Sequence, residues 1–272
     1  MHNQPIDVLT IGNAIVDIVS KTEPKFLVDS DFPLGSMNLI TESQAQALHG
    51  KLTSMQRVSG GSAANTAVGI ASLGGKASYI GKVRDDEMGK LFATDLEQSG
   101  VGFSTPFARV GPSTAVSFIL VTPDAQRTMA TYLGACHNLS PYDIDESVVA
   151  NAEISYLEGY LWDPPLAKDA FRKVLDVARR AGKTTSLSLS DTFCVDRYRD
   201  EFMELLSGDV DILFANESEL LSLYKTRNFN DALEHARSHC RIVAITRGEH
   251  GSIVTSGNES YQISAETTSS VV

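Results

Sequence analysis

Ser59-Gly60-Gly61-Ser62-Ala63-Ala64-Asn65 sets two glycines directly ahead of a run of small residues that reads as a helix over 61–73, closed by Gly74. Paired glycines at a helix start let backbone amides approach a polar ligand, and Asn65 offers both a donor and an acceptor. A tight turn that needs glycine for its geometry alone would read the same way. The stretch also has the outline of a serine-hydrolase elbow, but Ala64 replaces its final glycine and no acid–histidine pair accompanies it. Gly69 and Gly74 have P-loop spacing, yet Gly75 and Ala77 stand where Lys and Ser or Thr are required.

Upstream of this stretch, Ile6, Val8, Leu9 and Ile11 form a short apolar strand ending at Gly12-Asn13, where open parallel sheets meet their ligands. Asp17 follows inside Ala14-Ile15-Val16-Asp17-Ile18-Val19. An unpaired carboxylate in an apolar run is costly to desolvate, so it calls for donors. Two vicinal sugar hydroxyls would serve, and so would a helix N-terminus or water at a surface strand. Thr41 and Gln44 make a capping box before 45–52.

Downstream, the pattern gives a strand near 78–83, a helix over 86–99 and a hairpin of 115–121 with 128–133 through Pro123-Asp124. Strands at 154–158, 184–189, 211–215 and 242–246 then alternate with helices at 165–181, 197–207, 217–225 and 230–239, before a hairpin across 252–263. This alternation predicts an α/β fold, a mostly parallel sheet covered by helices. Segments 15–40 and 102–133 read as hairpin-rich insertions that could pair as a small β lid, giving one domain over 1–272.

A net charge of −11 with scattered Lys and Arg excludes the basic footprint of a nucleic-acid binder. No apolar run approaches a membrane span or a signal peptide, and Met1 to Asp7 leads straight into the first strand. Cys136, Cys194 and Cys240 are an odd, widely spaced set that suits a reducing compartment, so a cytoplasmic protein is expected. His235, His239 and Cys240 could suggest a metal site, but lack a further ligand at sensible spacing and read as a solvated helix face.

Taken in order, Gly12-Asn13 with Asp17, Gly60-Gly61…Asn65, and Gly81-x-Val83-x-Asp85-Asp86-x-x-Gly89 resemble the ribokinase-like (PfkB) carbohydrate and nucleoside kinases. Arg127-Thr128, Asn216-Glu217-Ser218-Glu219 and Thr246-Arg247-Gly248-Glu249-His250-Gly251 resemble that family's later motifs. Residues 35–40, Leu133-Gly134-Ala135 and Leu157-Glu158-Gly159-Tyr160 lean toward its adenosine-kinase-like branch. Arg84 departs from it, standing where the family usually has glycine.

The resemblance implies a Rossmann-like main domain with a β lid, and phosphoryl transfer from ATP with Mg2+ to a primary hydroxyl of a nucleoside, the ribose 5′-hydroxyl of adenosine foremost. Ribose or fructose is the alternative acceptor. Asp17 would hold the ribose diol, with Asn13, Gly60, Gly61 and Asn65 completing the pocket and Leu133 packing on base or sugar. Arg127 would neutralise charge on the transferring phosphate. Asn216 and Glu219 would organise magnesium, Glu219 through water. Thr246, Gly248, Gly251 and Asp191 would receive the nucleotide. A monomer, or a homodimer through the lid, is implied.

The family also places a Gly-Ala-Gly-Asp segment at a helix start, where the aspartate acts as base. The sequence runs to Val272 without it, and 261–272 resembles the approach to that segment, so truncation is expected and no base is named. A noncatalytic binding protein is the other reading of the same absence.

Overall fold

The computed structural model describes residues 5–266. The chain begins with β1 (Ile6–Ile11), β2 (Ile15–Lys21), α1 (Pro24–Asp29), β3 (Met37–Leu39), α2 (Glu42–Lys51), β4 (Gln56–Gly60) and α3 (Ser62–Ser72). It continues through β5 (Ala77–Ile80), α4 (Glu87–Gln98), β6 (Gly102–Phe103), β7 (Ala115–Val121), β8 (Arg127–Tyr132) and α5 (Glu146–Asn151). The remainder is β9 (Ala152–Glu158), α6 (Pro165–Arg180), β10 (Thr184–Ser188), α7 (Thr192–Leu206), β11 (Ile212–Asn216), α8 (Glu217–Tyr224), α9 (Phe229–His239), β12 (Ile242–Thr246), β13 (Ser252–Ser256) and β14 (Glu259–Ile263).

Nine strands form one sheet in the order β14-β13-β12-β11-β10-β9-β1-β5-β6, parallel from β12 to β6 and antiparallel at β13 and β14. Right-handed crossovers require helices against such a sheet, and side chains alternate between its faces. Leu9, Ile11, Ile80 and Leu157 pack with α5 to α9 in one core, while Tyr79 and Ala77 point the other way and pack with α3 and α4 in a second. The α/β architecture and its parallel sheet are therefore as the alternation of apolar runs predicts.

The second sheet, β3-β8-β7-β2-β4, has five strands. Four of them, β2, β3, β7 and β8, come from the expected segments 15–40 and 102–133 and pair with one another, but the match is not complete. Segment 15–40 holds the helix α1 as well as β2 and β3, and is not a hairpin, because β2 pairs β4 antiparallel and β7 in parallel. Residues 102–103 join the large sheet, whereas β4, the Gln56–Gly60 stretch ahead of α3, joins the small one. Gln-Arg-Val-Ser-Gly carries one apolar side chain, so a strand there has no alternating pattern to announce it.

One face of the small sheet is closed. Val16, Ile18, Phe118, Leu120 and Ala130 are buried together with Ala45 and Leu48 of α2. The other face carries Asp17 with its register partners Val58 and Ser117, and then Thr131 and Leu39 in the same row. The next row holds Val19, Ile119, Met129 and Met37. Val58 is 41%, Leu39 61% and Met37 44% exposed, while Ser117 and Thr131 between them are buried, so the exposed apolar side chains flank the centre of this face.

Local signals set several boundaries as expected. Thr41 and Gln44 form the capping box of α2, and the hydrogen-bonded Asn216–Glu219 pair caps α8. Helix α7 begins at Thr192 rather than near 197, because the Asp191 side chain accepts from Cys194 N and caps it; Tyr198, at φ −120° and ψ 24°, kinks the helix close to the expected start. His235 and His239 lie against the Tyr224 ring at 5.5 and 6.2 Å between centroids, which gives them a packing role. The Arg84 side chain donates to the Gly111 carbonyl and ties down the loop before β7. The segment expected after Glu266, and the first four residues, lie outside the described residues. Among the described residues no helix is long and apolar enough to cross a membrane.

Candidate active site

The parallel strands end level with one another. Ile11 pairs with Leu157, Glu158 with Ser188, Ser188 with Phe214, and Asn216 with Thr246. The residues at or just past these pairs, Gly12-Asn13, Glu158, Asp191, Asn216 and Thr246, therefore line one carboxyl edge, where open α/β sheets hold ligands.

At the β1–β2 junction the chain leaves the large sheet and enters the small one. Asn13 is 3% exposed there. Its backbone N–H donates to Glu158 Oε2 at 3.2 Å and its side-chain Nδ2 to Oε1 at 3.5 Å, while Ala63 N–H at the start of α3 donates to Oε2 at 3.3 Å. Tyr79 Oη donates to the Gly12 carbonyl at 2.8 Å, and Cys136 Sγ to that of Ala14 at 3.3 Å. Glu158 is fully enclosed, and burial pushes its carboxyl up to about 7 against the lowering effect of the Ala63 and Asn13 donors. Gly12 makes the packing possible: a Cβ there would stand 2.9 Å from Cδ of Glu158 and 2.5 Å from Cβ of Ala63.

Gly60 and Gly61 have separate steric reasons. A Cβ on Gly60 would overlap the Asp17 carboxyl group, and one on Gly61 would overlap the Asn13 carbonyl. Gly61 also caps α3 at φ +93° and ψ 140°, a conformation that L side chains rarely adopt. Asp17 stands beside these glycines on the open face, and burial pushes its carboxyl up to about 6. Asn65 is exposed on the first turn of α3, and Leu133 is half-buried at the turn after β8. Asn13, Asp17, Gly60 and Gly61 are thus brought together with Glu158, whose place in the site the sequence motifs do not indicate. The signal available was the one applied to Asp17: a carboxylate closing an apolar strand.

The other end of the edge is built from β10 to β12. Glu219 is 5% exposed and holds both carboxyl oxygens against Asn216, accepting from its backbone N at 2.9 Å and its Nδ2 at 2.6 Å. Burial raises the Glu219 carboxyl, the Asn216 backbone donor opposes this, and the Asp191 charge adds to it, so Asp191 and Glu219 share one neighbourhood. Tyr160 lies there too: its N–H donates to Ser190 Oγ at 3.2 Å, and burial together with the Asp191 charge raises its hydroxyl. Ser190 sits at φ +73°, an uncommon conformation for a residue with a side chain. Thr246 and Gly248 are exposed. No heavy atom lies within 4 Å of a Cβ built on Gly248, whereas one on Gly251 would stand 2.8 Å from Ala265 N, so chain packing by itself requires glycine at 251.

Arg127 opens β8 opposite Val121, exposed and on the same face as Asp17. Ser117, the register partner of Asp17, is four residues before Val121, which puts Arg127 about 13 Å along the strands from the Asp17 row. Among the described residues no group of three or more His, Cys, Asp or Glu could hold a metal ion unaided.

This geometry has close counterparts. The adenosine kinase from Sinorhizobium meliloti is 48% identical, with a TM-score of 0.91 over 99% of this chain and 83% of that one. A probable sugar kinase from Rhizobium etli CFN 42 is 46% identical, with a TM-score of 0.91 over 98% and 81%. The ATP-dependent ribose-1-phosphate kinase of Halopiger xanaduensis is 32% identical over 212 residues, 77% of this chain; the chain spans only 66% of that relative's length. The profile of the pfkB family carbohydrate kinases matches residues 34–272. With the two-sheet fold and the edge motifs in their expected order, the chain belongs to the pfkB family of carbohydrate kinases.

Proposed function

We propose that the whole protein transfers the γ-phosphoryl group of MgATP to the 5′-hydroxyl of a nucleoside, adenosine before others. The observation that carries the nucleoside over a free sugar is the open face of the small sheet. Asp17 on β2 has exposed Val58 beside it, and Met129, Leu39 and Met37 on β8 and β3 add exposed apolar side chains across the same face, beyond buried Ser117 and Thr131. A ribose needs the carboxylate for its hydroxyls; a flat aromatic base needs the apolar surface, and a free hexose or pentose has nothing to place there.

In this reading Asp17 accepts the ribose diol, Asn13 and the amides around Gly60, Gly61 and Asn65 shape the pocket, and Leu133 contacts base or sugar. MgATP lies along β10 to β12 against Thr246, Gly248 and Gly251. Asp191 and the Asn216–Glu219 pair face its magnesium through water, since both Glu219 oxygens are already held by Asn216. The ion arrives with ATP and neutralises phosphate charge. The small sheet acts as a lid whose swing brings Arg127 over the transferring group, excluding water as it closes. Three unbridged cysteines fit work in the cytoplasm.

The alternative acceptor is a sugar, and the names of the relatives span both chemistries. Assay of the whole protein for ADP release with adenosine, inosine, guanosine, ribose and fructose separates the two. Adenosine turnover well above that of either sugar is the expected result; ribose or fructose in front would move the assignment, and silence on all five would end the kinase reading in favour of a binding protein.

A further inference from the structure

We propose that Arg247 is a positioning residue for the nucleotide end of the site: it braces the loop 246–251 against the start of α8, and so fixes the spacing between the two segments that face MgATP. The inference rests on the nucleotide reading given above. Because β11 and β12 are parallel and Asn216 is the register partner of Thr246, the chain leaves both strands at the same level and side by side. One residue further on, the two segments meet. Arg247 Nε donates to Glu217 Oε2 at 2.8 Å and Nη2 donates to Oε1 at 3.3 Å. The guanidinium also lies over the Phe229 ring of α9, with Cζ 3.9 Å from its centroid.

The same residue closes its own loop. Arg247 N–H donates to the Gly251 carbonyl at 2.8 Å, and His250 N–H donates to the Arg247 carbonyl at 3.0 Å. The backbone thus ties the two ends of the loop together, while the side chain ties the loop to α8 and α9. An arginine at a phosphate edge would ordinarily be read as a phosphate ligand. Here its fork is engaged by Glu217 and one face of the guanidinium by Phe229, so its contribution is geometric. Partly exposed ion pairs stabilise folds only modestly, which separates this role from a purely structural one. A planar, two-pronged donor stacked on a ring cannot be replaced by the point charge of lysine.

The test is calorimetric titration of the whole protein with MgATP and, separately, with adenosine, alongside thermal melts. Arg247→Ala is expected to weaken MgATP binding by about 5- to 50-fold while adenosine affinity stays within about twofold. Glu217→Gln should act in the same direction, the double variant should be no worse than Arg247→Ala, and Arg247→Lys should recover only part of the loss. Retained MgATP affinity in Arg247→Ala overturns the brace and leaves the nucleotide reading intact. Additive losses in the double variant also overturn it, since they mean that Arg247 acts on phosphate directly. Wild-type chain that takes adenosine but not MgATP removes the nucleotide reading and the brace with it; a chain that takes neither removes the proposed function. Should Arg247→Ala fail to fold, Glu217→Gln decides by the same split between the two ligands.

Discussion

Gly60 and Asp17 stand on neighbouring antiparallel strands so close together that residue 60 has no room for a side chain: a Cβ there would lie 2.7 Å even from the farther oxygen of the Asp17 carboxyl group. Ile15 is the register partner of Gly60, and Asp17 that of Val58, so the carboxyl group leans diagonally over the glycine.

Gly60→Ala therefore has to rotate Asp17 away from its position. Adenosine affinity should fall by about 10- to 100-fold, close to the loss in Asp17→Ala, and the double variant should lose little more, because both changes act on one carboxyl group. Calorimetry on the three variants checks this, and full additivity would separate Gly60 from Asp17.

Asp17 titrates near 6 because burial disfavours its charge. Hydroxyl donors bind the carboxylate better than the acid, so adenosine affinity should fall as pH drops through about 6, approaching tenfold per pH unit below it. Asp17→Asn should bind more weakly and lose this dependence. A profile that stays pH-dependent in Asp17→Asn would assign the titration to another group.

The fully enclosed Glu158 holds its proton more tightly in the native state than in the unfolded chain, with a carboxyl near 7 against an ordinary 4.5. Its proton-linked stabilisation is fully present below pH 4.5 and is lost as pH rises through about 7. Glu158→Gln keeps an acceptor for Asn13 N and Ala63 N while removing the buried charge. Thermal melts should show this variant more stable than wild type at pH 8, by on the order of a few kcal/mol, with the difference vanishing toward pH 5. A loss of stability at pH 8 would mean that the charge strengthens these hydrogen bonds by more than its burial costs.

Arg127 lies on the Asp17 face but about 13 Å along the strands, so its contribution should appear only when the small sheet closes over the reacting groups. In the whole protein, Arg127→Ala should lower kcat by ~10- to 1000-fold with little change in adenosine KM, and Arg127→Lys should recover part of it. A rise in KM with kcat unchanged would assign Arg127 to substrate binding instead.

The alternation of apolar runs and the local capping pairs were enough to determine the large parallel sheet, the capping box of α2 and the boundaries of α8 to within a residue, because period and cap are written in residues a few positions apart. The order of the motifs from Gly12 to Gly251 was likewise plain before any fold was known. Neighbours far along the chain were not. Gln56–Gly60 is a strand because β2 pairs with it, and its single apolar residue could not say so. Helix α7 starts five residues earlier than its apolar pattern suggests, because Asp191 caps it from the strand end beside Tyr160. Glu158 joins Asn13 and Ala63, 145 and 95 residues away, and only the packing of β1, β9 and α3 could place a buried carboxylate between them. Sequence fixes what adjacent residues do to the local backbone; contacts across the sheet edge arise from chain segments whose meeting depends on every strand between them, and tertiary structure alone decided those.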